Sequence, residues 1–141
     1  MNGILLSIAL FVSSFVFSQH SIVGKWKTID DETGKVVSVV EIYEAKGKYW
    51  GKIVELTNPK DRDKTCVECS GTDHNKPILG LVVIKGLTKV GNEYTNGKIL
   101  DPKHGKLYKS IICLEGKDRL KVRGYIGVSL IGRTQYWERV K

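Results

Sequence analysis

Beyond residue 18 the chain has no phenylalanine: its three Phe, at positions 11, 15 and 17, all stand in the first apolar run. A core built after that point must come from Val, Ile and Leu with Trp26, Trp50, Trp137 and six Tyr, a set that fits pleated sheet surfaces better than helices. Charge is also missing from the first 18 residues. The uninterrupted stretch from Ile4 to Phe17 is too short for a comfortable transmembrane helix. It ends in Val16-Phe17-Ser18, with an aliphatic and a small residue where a signal peptidase reads. The pattern predicts a secretory signal peptide over residues 1–18, cut after Ser18, with the free amino terminus supplying the positive charge. An uncleaved anchor is the alternative. No cysteine stands at the cut, so a lipid anchor is not indicated. Residues 19–141 are expected to form a single exported domain, periplasmic or extracellular, long enough for one modest core.

Other absences narrow the function. There is no low-complexity segment, no interdomain linker and no convincing amphipathic helix. The formal charge of +8 comes with no block of like charges, because Lys is scattered among Asp and Glu after residue 18. Dispersed Lys reads as solvated strand faces and guarded sheet edges, and attraction to an anionic membrane surface is the functional alternative. Nucleic acid is not an expected partner for an exported chain. No Ser lies in a Gly-x-Ser-x-Gly turn. Gly124-Tyr125-Ile126-Gly127 lacks the spacing and the following helix of a phosphate loop. Carboxylates are spread over turns, with no acid and base that the sequence places together. His20 falls at the expected mature terminus, and His104 sits in the polar turn Asp101–Gly105. An enzyme is not expected, nor a cofactor, nor a metal.

What is present is strand grammar. Apolar-rich segments alternate with Gly, Asn, Asp and Lys turns, predicting strands over 22–29, 36–44, 48–56, 79–87, 94–100, 106–114, 119–125 and 129–140. On the second, Ser38, Val40 and Ile42 share a face opposite Val37, Val39, Glu41 and Tyr43. One long irregular stretch, 57–78, holds Cys66 and Cys69. Gly51-Lys52-Ile53-Val54-Glu55 is echoed by Gly97-Lys98-Ile99-Leu100-Asp101, as a meander reusing one hairpin would give. Eight strands with hairpin-length turns predict an all-β, eight-stranded antiparallel up-and-down barrel.

Gly24-Lys25-Trp26 on the first strand resembles the first-strand signature of the lipocalins and fatty-acid-binding proteins, the calycin group. The resemblance implies that the Trp26 indole closes one end of the barrel under a basic residue from the last strand. Arg139, nearest the end, is the expected partner, since a guanidinium over an indole face gains cation–π attraction. Arg133, Gln135, Trp137 and Arg139 share one face of that strand. The wider set is similar to the exported bacterial family known as domain of unknown function 2147. It comprises Gly24–Asp31, Cys66-x-x-Cys69, Gly97–Pro102, Gly105–Tyr108, Arg123–Gly127 and Gly132–Trp137. It implies a small lipocalin-like barrel and brings no catalytic residues.

In an oxidising compartment Cys66 and Cys69 are expected to form a disulfide. A redox-active pair and a metal site recruiting His74, Asp73 or Cys113 are the competing readings. Cys113, in the apolar segment Ile111–Leu114, is expected to be a buried free thiol. For polar contacts inside a cavity the candidates are Tyr108, Arg123, Tyr125 and Arg133. Alternation with Leu120 and Val122 points Arg123 outward unless Gly124 carries a bulge. The expected function is a carrier or sensor for a small hydrophobic or amphipathic ligand, since an eight-stranded barrel either fills itself or holds one such molecule. The alternative is an envelope interaction module using the 57–78 loop and the basic surface.

Overall fold

A computed structural model describes Gly3 and residues 8–13, 20–128 and 131–141. The expected cleavage point after Ser18 lies outside the described residues. Within the expected leader, Ile8, Leu10, Phe11 and Val12 are exposed and belong to no strand.

Eight strands run in chain order: β1 (Gly24–Ile29), β2 (Val36–Ala45), β3 (Lys48–Leu56), β4 (Val82–Val90), β5 (Glu93–Asp101), β6 (Lys106–Glu115), β7 (Arg119–Tyr125) and β8 (Gly132–Arg139). Each pairs antiparallel with its sequence neighbours, and β8 returns to β1 through Trp26↔Arg139 and Lys27↔Glu138, closing the barrel. Closure removes the free sheet edges that an open meander would expose.

Three strand starts differ from the expected ones by two residues or more. The segment predicted to begin at Leu79 becomes strand only at Val82, because Leu81 N–H bonds back to Ile78 and Gly80 takes a positive φ of 90°. Ile22, expected in β1, precedes it, and its carbonyl accepts the Trp26 indole N–H at 2.8 Å. The expected start of the last strand, Ser129, lies outside the described residues; β8 begins at Gly132.

The two ends of the barrel differ in their connections. At the base, strands are joined by the short turns Lys46-Gly47, Gly91-Asn92 and Gly116–Asp118. Lys46 and Gly47 both have positive φ, 54° and 74°, as a two-residue hairpin turn requires. At the other end the connections are longer: 30–35, 57–81, 102–105 and 126–131. The longest contains two single 3-10 turns, Pro59–Asp61 and Gly71–Asp73, and a Thr65↔Pro77 bridge.

The base is packed solid. Ile22, Trp26, Ile42, Leu87, Ile112 and Leu120 are fully buried, and Tyr94 stands edge-on to Tyr49 at 4.8 Å. Arg139 lies under this layer with its guanidinium 4.3 Å from the Trp26 ring centre. Its nitrogens donate to the carbonyls of Lys117, Val23 and Ser21 at 2.8, 3.2 and 2.9 Å. The charge is therefore held by acceptors and by a π-face together, worth about 1–2 kcal/mol from the ring alone at a partly desolvated site. Gly24 makes room for it: with φ at 137°, a Cβ there would lie 2.9 Å from Arg139 Nη1. The Gly-x-Trp pattern thus has two separate causes, a ring that fills the base and a bare backbone that admits its cation.

Candidate functional site

Toward the end with the long connections the interior is hollow. A cavity of about 700 Å³ opens there, within the range of small-molecule sites. It exists because inward side chains shrink along the strands. On β2 the sequence from base to mouth runs Ile42, Val40, Ser38; on β7 it runs Leu120, Val122, Gly124; on β1 Trp26 gives way to Thr28. Val40, Ile53, Val83, Ile99, Leu100 and Val122 supply the apolar wall. Tyr108 crosses it above Gly124, where a Cβ would stand only 3.3 Å from Tyr108 Cβ.

Polar groups are few and mostly engaged. The Thr28 and Ser38 hydroxyls, each buried, bond to one another across β1 and β2. Up β8, Trp137 Nε1 donates to Gln135 Oε1 at 3.2 Å, and Gln135 Nε2 donates to Asp31 Oδ2 at 3.4 Å. Arg133 Nε reaches the same Asp31 oxygen at 2.9 Å. This chain of groups carries a polar stripe from the buried indole to the mouth. Asp30 beside it has its carboxyl held below the usual range by the backbone N–H groups of Thr33 and Glu32. Asp101 Oδ2 and His104 Nδ1 pair at 2.8 Å on the opposite lip. Below Tyr108 on the same strand face, the buried Ser110 hydroxyl has no hydrogen-bond partner among the described residues.

The 57–81 connection packs against the β5–β6 turn, whose residues line the mouth. Cys66 and Cys69 are joined in a disulfide, both buried, with Cα atoms 5.3 Å apart. Cys66 Sγ packs 3.5 Å from the Pro102 carbonyl oxygen. Gly105 lets the β5–β6 turn seat against the loop: its φ is 67°, and a Cβ would collide with the Glu68 backbone. Asp73, paired to Lys85 on β4 at 2.9 Å, and His74 Nδ1, 2.9 Å from the Cys69 carbonyl, tie the rest down. His74 and Asp73 are thus engaged in holding the loop.

The candidate residues fall in different places. Tyr108 lines the cavity, and Tyr125 and Arg133 stand at its rim, Arg133 largely exposed and paired with Asp31. Arg123 is a correction. β7 pairs with β6 and β8 without any register shift, so no bulge turns it inward. It donates to Thr134 Oγ1 at 3.0 Å and is not among the cavity-lining residues. Cys113 is a free thiol, as expected, but half-buried and paired across to Lys121, on the face opposite inward Ile112. Desolvation still pushes its thiol pKa up. Sequence reasoning missed Asp31 and the Thr28–Ser38 pair. The shared face of Arg133, Gln135 and Trp137 was legible from period two, whereas the approach of the β1–β2 loop to β8 needs the closed barrel.

A family model described as an uncharacterized protein conserved in bacteria, DUF2147, matches residues 24–139. Among curated proteins no relative matches. Among solved structures, the chain is similar to protein HP1028 from the human pathogen Helicobacter pylori, described as belonging to the lipocalin family. The TM-score is 0.77 at 22% identity, over 87% of this chain and 85% of that one. The likeness extends to the fold: this is a lipocalin-like barrel.

Proposed function

The chain belongs to the DUF2147 family of bacterial proteins, and on that footing we propose that it is an exported carrier or sensor which holds one small hydrophobic or amphipathic molecule in the barrel. The observation that carries this reading is the cavity of about 700 Å³. Its walls are mainly aliphatic, and its charged groups are confined to the lip. An apolar body would be drawn in by release of water from aliphatic wall and ligand alike. A polar end would meet Gln135, Arg133 and Asp31 at the mouth. The reading is one of binding: Thr28 with Ser38, and Trp137, Gln135 and Arg133 with Asp31, are engaged with one another along the wall. Export to the periplasm or beyond follows from the apolar leader and suits a disulfide. The interaction-module alternative is not favoured at the cysteine loop, which is packed against the β5–β6 turn at Gly105.

Native mass spectrometry on the chain purified from the exported fraction tests the proposal, together with binding of an anionic fluorescent amphipath such as anilinonaphthalene sulfonate. The expected result is a one-to-one adduct, or one-to-one probe binding displaced by long-chain fatty acids and lost in Val122→Phe, which grows into the cavity. A wild-type chain that carries no adduct and binds no probe would sink the reading.

A further inference from the structure

We propose that the open end docks onto an anionic lipid bilayer through Ile126, Val128 and Ile131 of the β7–β8 connection, with lysines on the outer face of β5 and β6 meeting the headgroups. Two independent observations meet at this corner. First, Ile126, Val128 and Ile131 are 58%, 60% and 67% exposed. Three large aliphatic side chains on one short connection form a cluster unlike the singly scattered exposed residues of an ordinary surface. Ile126 and Ile131 also line the cavity, so the same side chains belong to the outer cluster and to the mouth.

Second, Lys98 and Lys109 stand directly opposite each other on β5 and β6. Like charges at such a position destabilise a sheet. Among the described residues neither has a carboxylate within ion-pair distance. Lys109 in turn is the register partner of Tyr125, the residue before Ile126, so the cations begin one strand spacing, about 5 Å, from the end of β7. Exposed aliphatic residues that follow the end of β7, next to ammonium groups on β5 and β6, match the layering of a bilayer surface, with acyl chains beneath phosphates. Of the acids at the mouth, Asp31 is paired with Arg133, the Asp30 carboxylate accepts the N–H groups of Glu32 and Thr33, and Asp101 is paired with His104. An excess of +8 over the whole chain favours the same partner at longer range. The consequence rests on the carrier reading: a ligand would pass between membrane and cavity without crossing water.

The test is vesicle flotation with the exported chain, its amino terminus read by intact mass so that the apolar leader is known to be gone. Vesicles of phosphatidylcholine alone are compared with phosphatidylcholine containing one third phosphatidylglycerol. Binding to the anionic vesicles only is expected. Lys98→Gln with Lys109→Gln should weaken it by about 25-fold, at roughly fivefold per lysine near the surface, and Ile126→Ser with Ile131→Ser should weaken it by about tenfold or more. All four positions are at the surface, so the barrel should keep its fold, which near-ultraviolet circular dichroism checks. No binding to anionic vesicles, or binding that both double variants retain, overturns the proposal. Loss in the lysine variant alone also overturns it, since a purely electrostatic contact leaves the aliphatic cluster without a role. Equal competition by soluble glycerol phosphate at headgroup concentration would show a site for the free anion and count against a bilayer. Anilinonaphthalene sulfonate binding, measured without vesicles, reads the cavity separately: vesicle binding without probe binding would remove the carrier reading and leave the docking intact.

Discussion

Trp26 and Thr28 stand two residues apart on the same inward face of β1, yet one closes a packed base and the other lines a hollow. Antiparallel neighbours surround both halves, although β1 and β8 pair only near the base, at Trp26↔Arg139 and Lys27↔Glu138. What differs is side-chain size, position by position, and the length of the connections above. Around the base large residues meet at close quarters beneath two- and three-residue turns. Around the mouth Ser38, Thr28 and Gly124 leave space that long loops surround but do not fill. Dense packing and open volume are therefore assigned to opposite ends of one sheet. A carrier needs this division, because a hollow lined with aliphatic groups forgoes the packing contacts that a solid core would supply.

The comparison breaks most easily at the base. Trp26→Ala empties the layer that holds the molecule together and leaves Arg139 without its ring, so unfolding in urea should show a loss of about 3–5 kcal/mol. A loss under about 1 kcal/mol would mean that the base is not where the fold is secured. Enlarging a residue should then separate the two halves by its sign. Leu120 and Val122 are neighbours on one face of β7, both buried. Leu120→Phe has no space to enter and should cost about 1–3 kcal/mol, whereas Val122→Phe grows into the cavity and should cost less than about 1 kcal/mol. Equal costs would show that the hollow closes up in solution.

The loop packed beside the mouth offers an intermediate effect. The Cys66–Cys69 disulfide closes only a short loop, so its removal by Cys66→Ala with Cys69→Ala should cost about 2 kcal/mol or less on the chain-entropy estimate. The more telling readout is where the loss is felt. Hydrogen exchange should rise over 64–78 and in the β5–β6 turn against which the loop packs, while Trp26 and Leu120 keep their protection. Uniform loss across the barrel would mean that the loop secures the whole fold and not the mouth alone.

Much of this division could be read from residues in order. The eight strands, their turns and the inward faces of β2 and β8 follow from period two and from turn chemistry, because antiparallel neighbours need only local information. Even the taper is written in the sequence, as Ile42, Val40, Ser38 and as Leu120, Val122, Gly124. The site was less legible. Arg123 was a candidate only on the chance of a bulge at Gly124, and unbroken register on both sides of β7 removes that chance. Asp31 escaped notice because it looks like any turn carboxylate until closure of β8 onto β1 brings the loop beside Arg133. Cys113 sits in an apolar segment that suggests burial, yet its alternation with Ile112 sets it on the outer side. Long-range placement, which strand periodicity does not encode, accounts for Asp31; at Cys113 the apolar segment outweighed the alternation, and at Arg123 the allowance for a bulge did.

The smallest expected effect separates the two ends by acid. The Asp30 carboxyl is held below its ordinary value of 3.8 by the N–H groups of Thr33 and Glu32. A depressed carboxylate contributes stability that is fully present above its unfolded value and is lost as pH falls through the folded one. The window therefore lies below about pH 4, and neutral conditions leave the turn intact. In an NMR titration the amide resonances of Glu32 and Thr33 should shift with a midpoint under 3.8. The Trp26 indole N–H, bonded to the Ile22 carbonyl at the other end, should stay in place through that range. Asp30→Ala should abolish the titration and narrow its stability deficit against the wild-type chain as acid is added. A midpoint at or above 3.8 would show that the turn does not hold the carboxylate. Movement of the indole in step with the turn would show that mouth and base respond as one body, and the division of labour between them would fail.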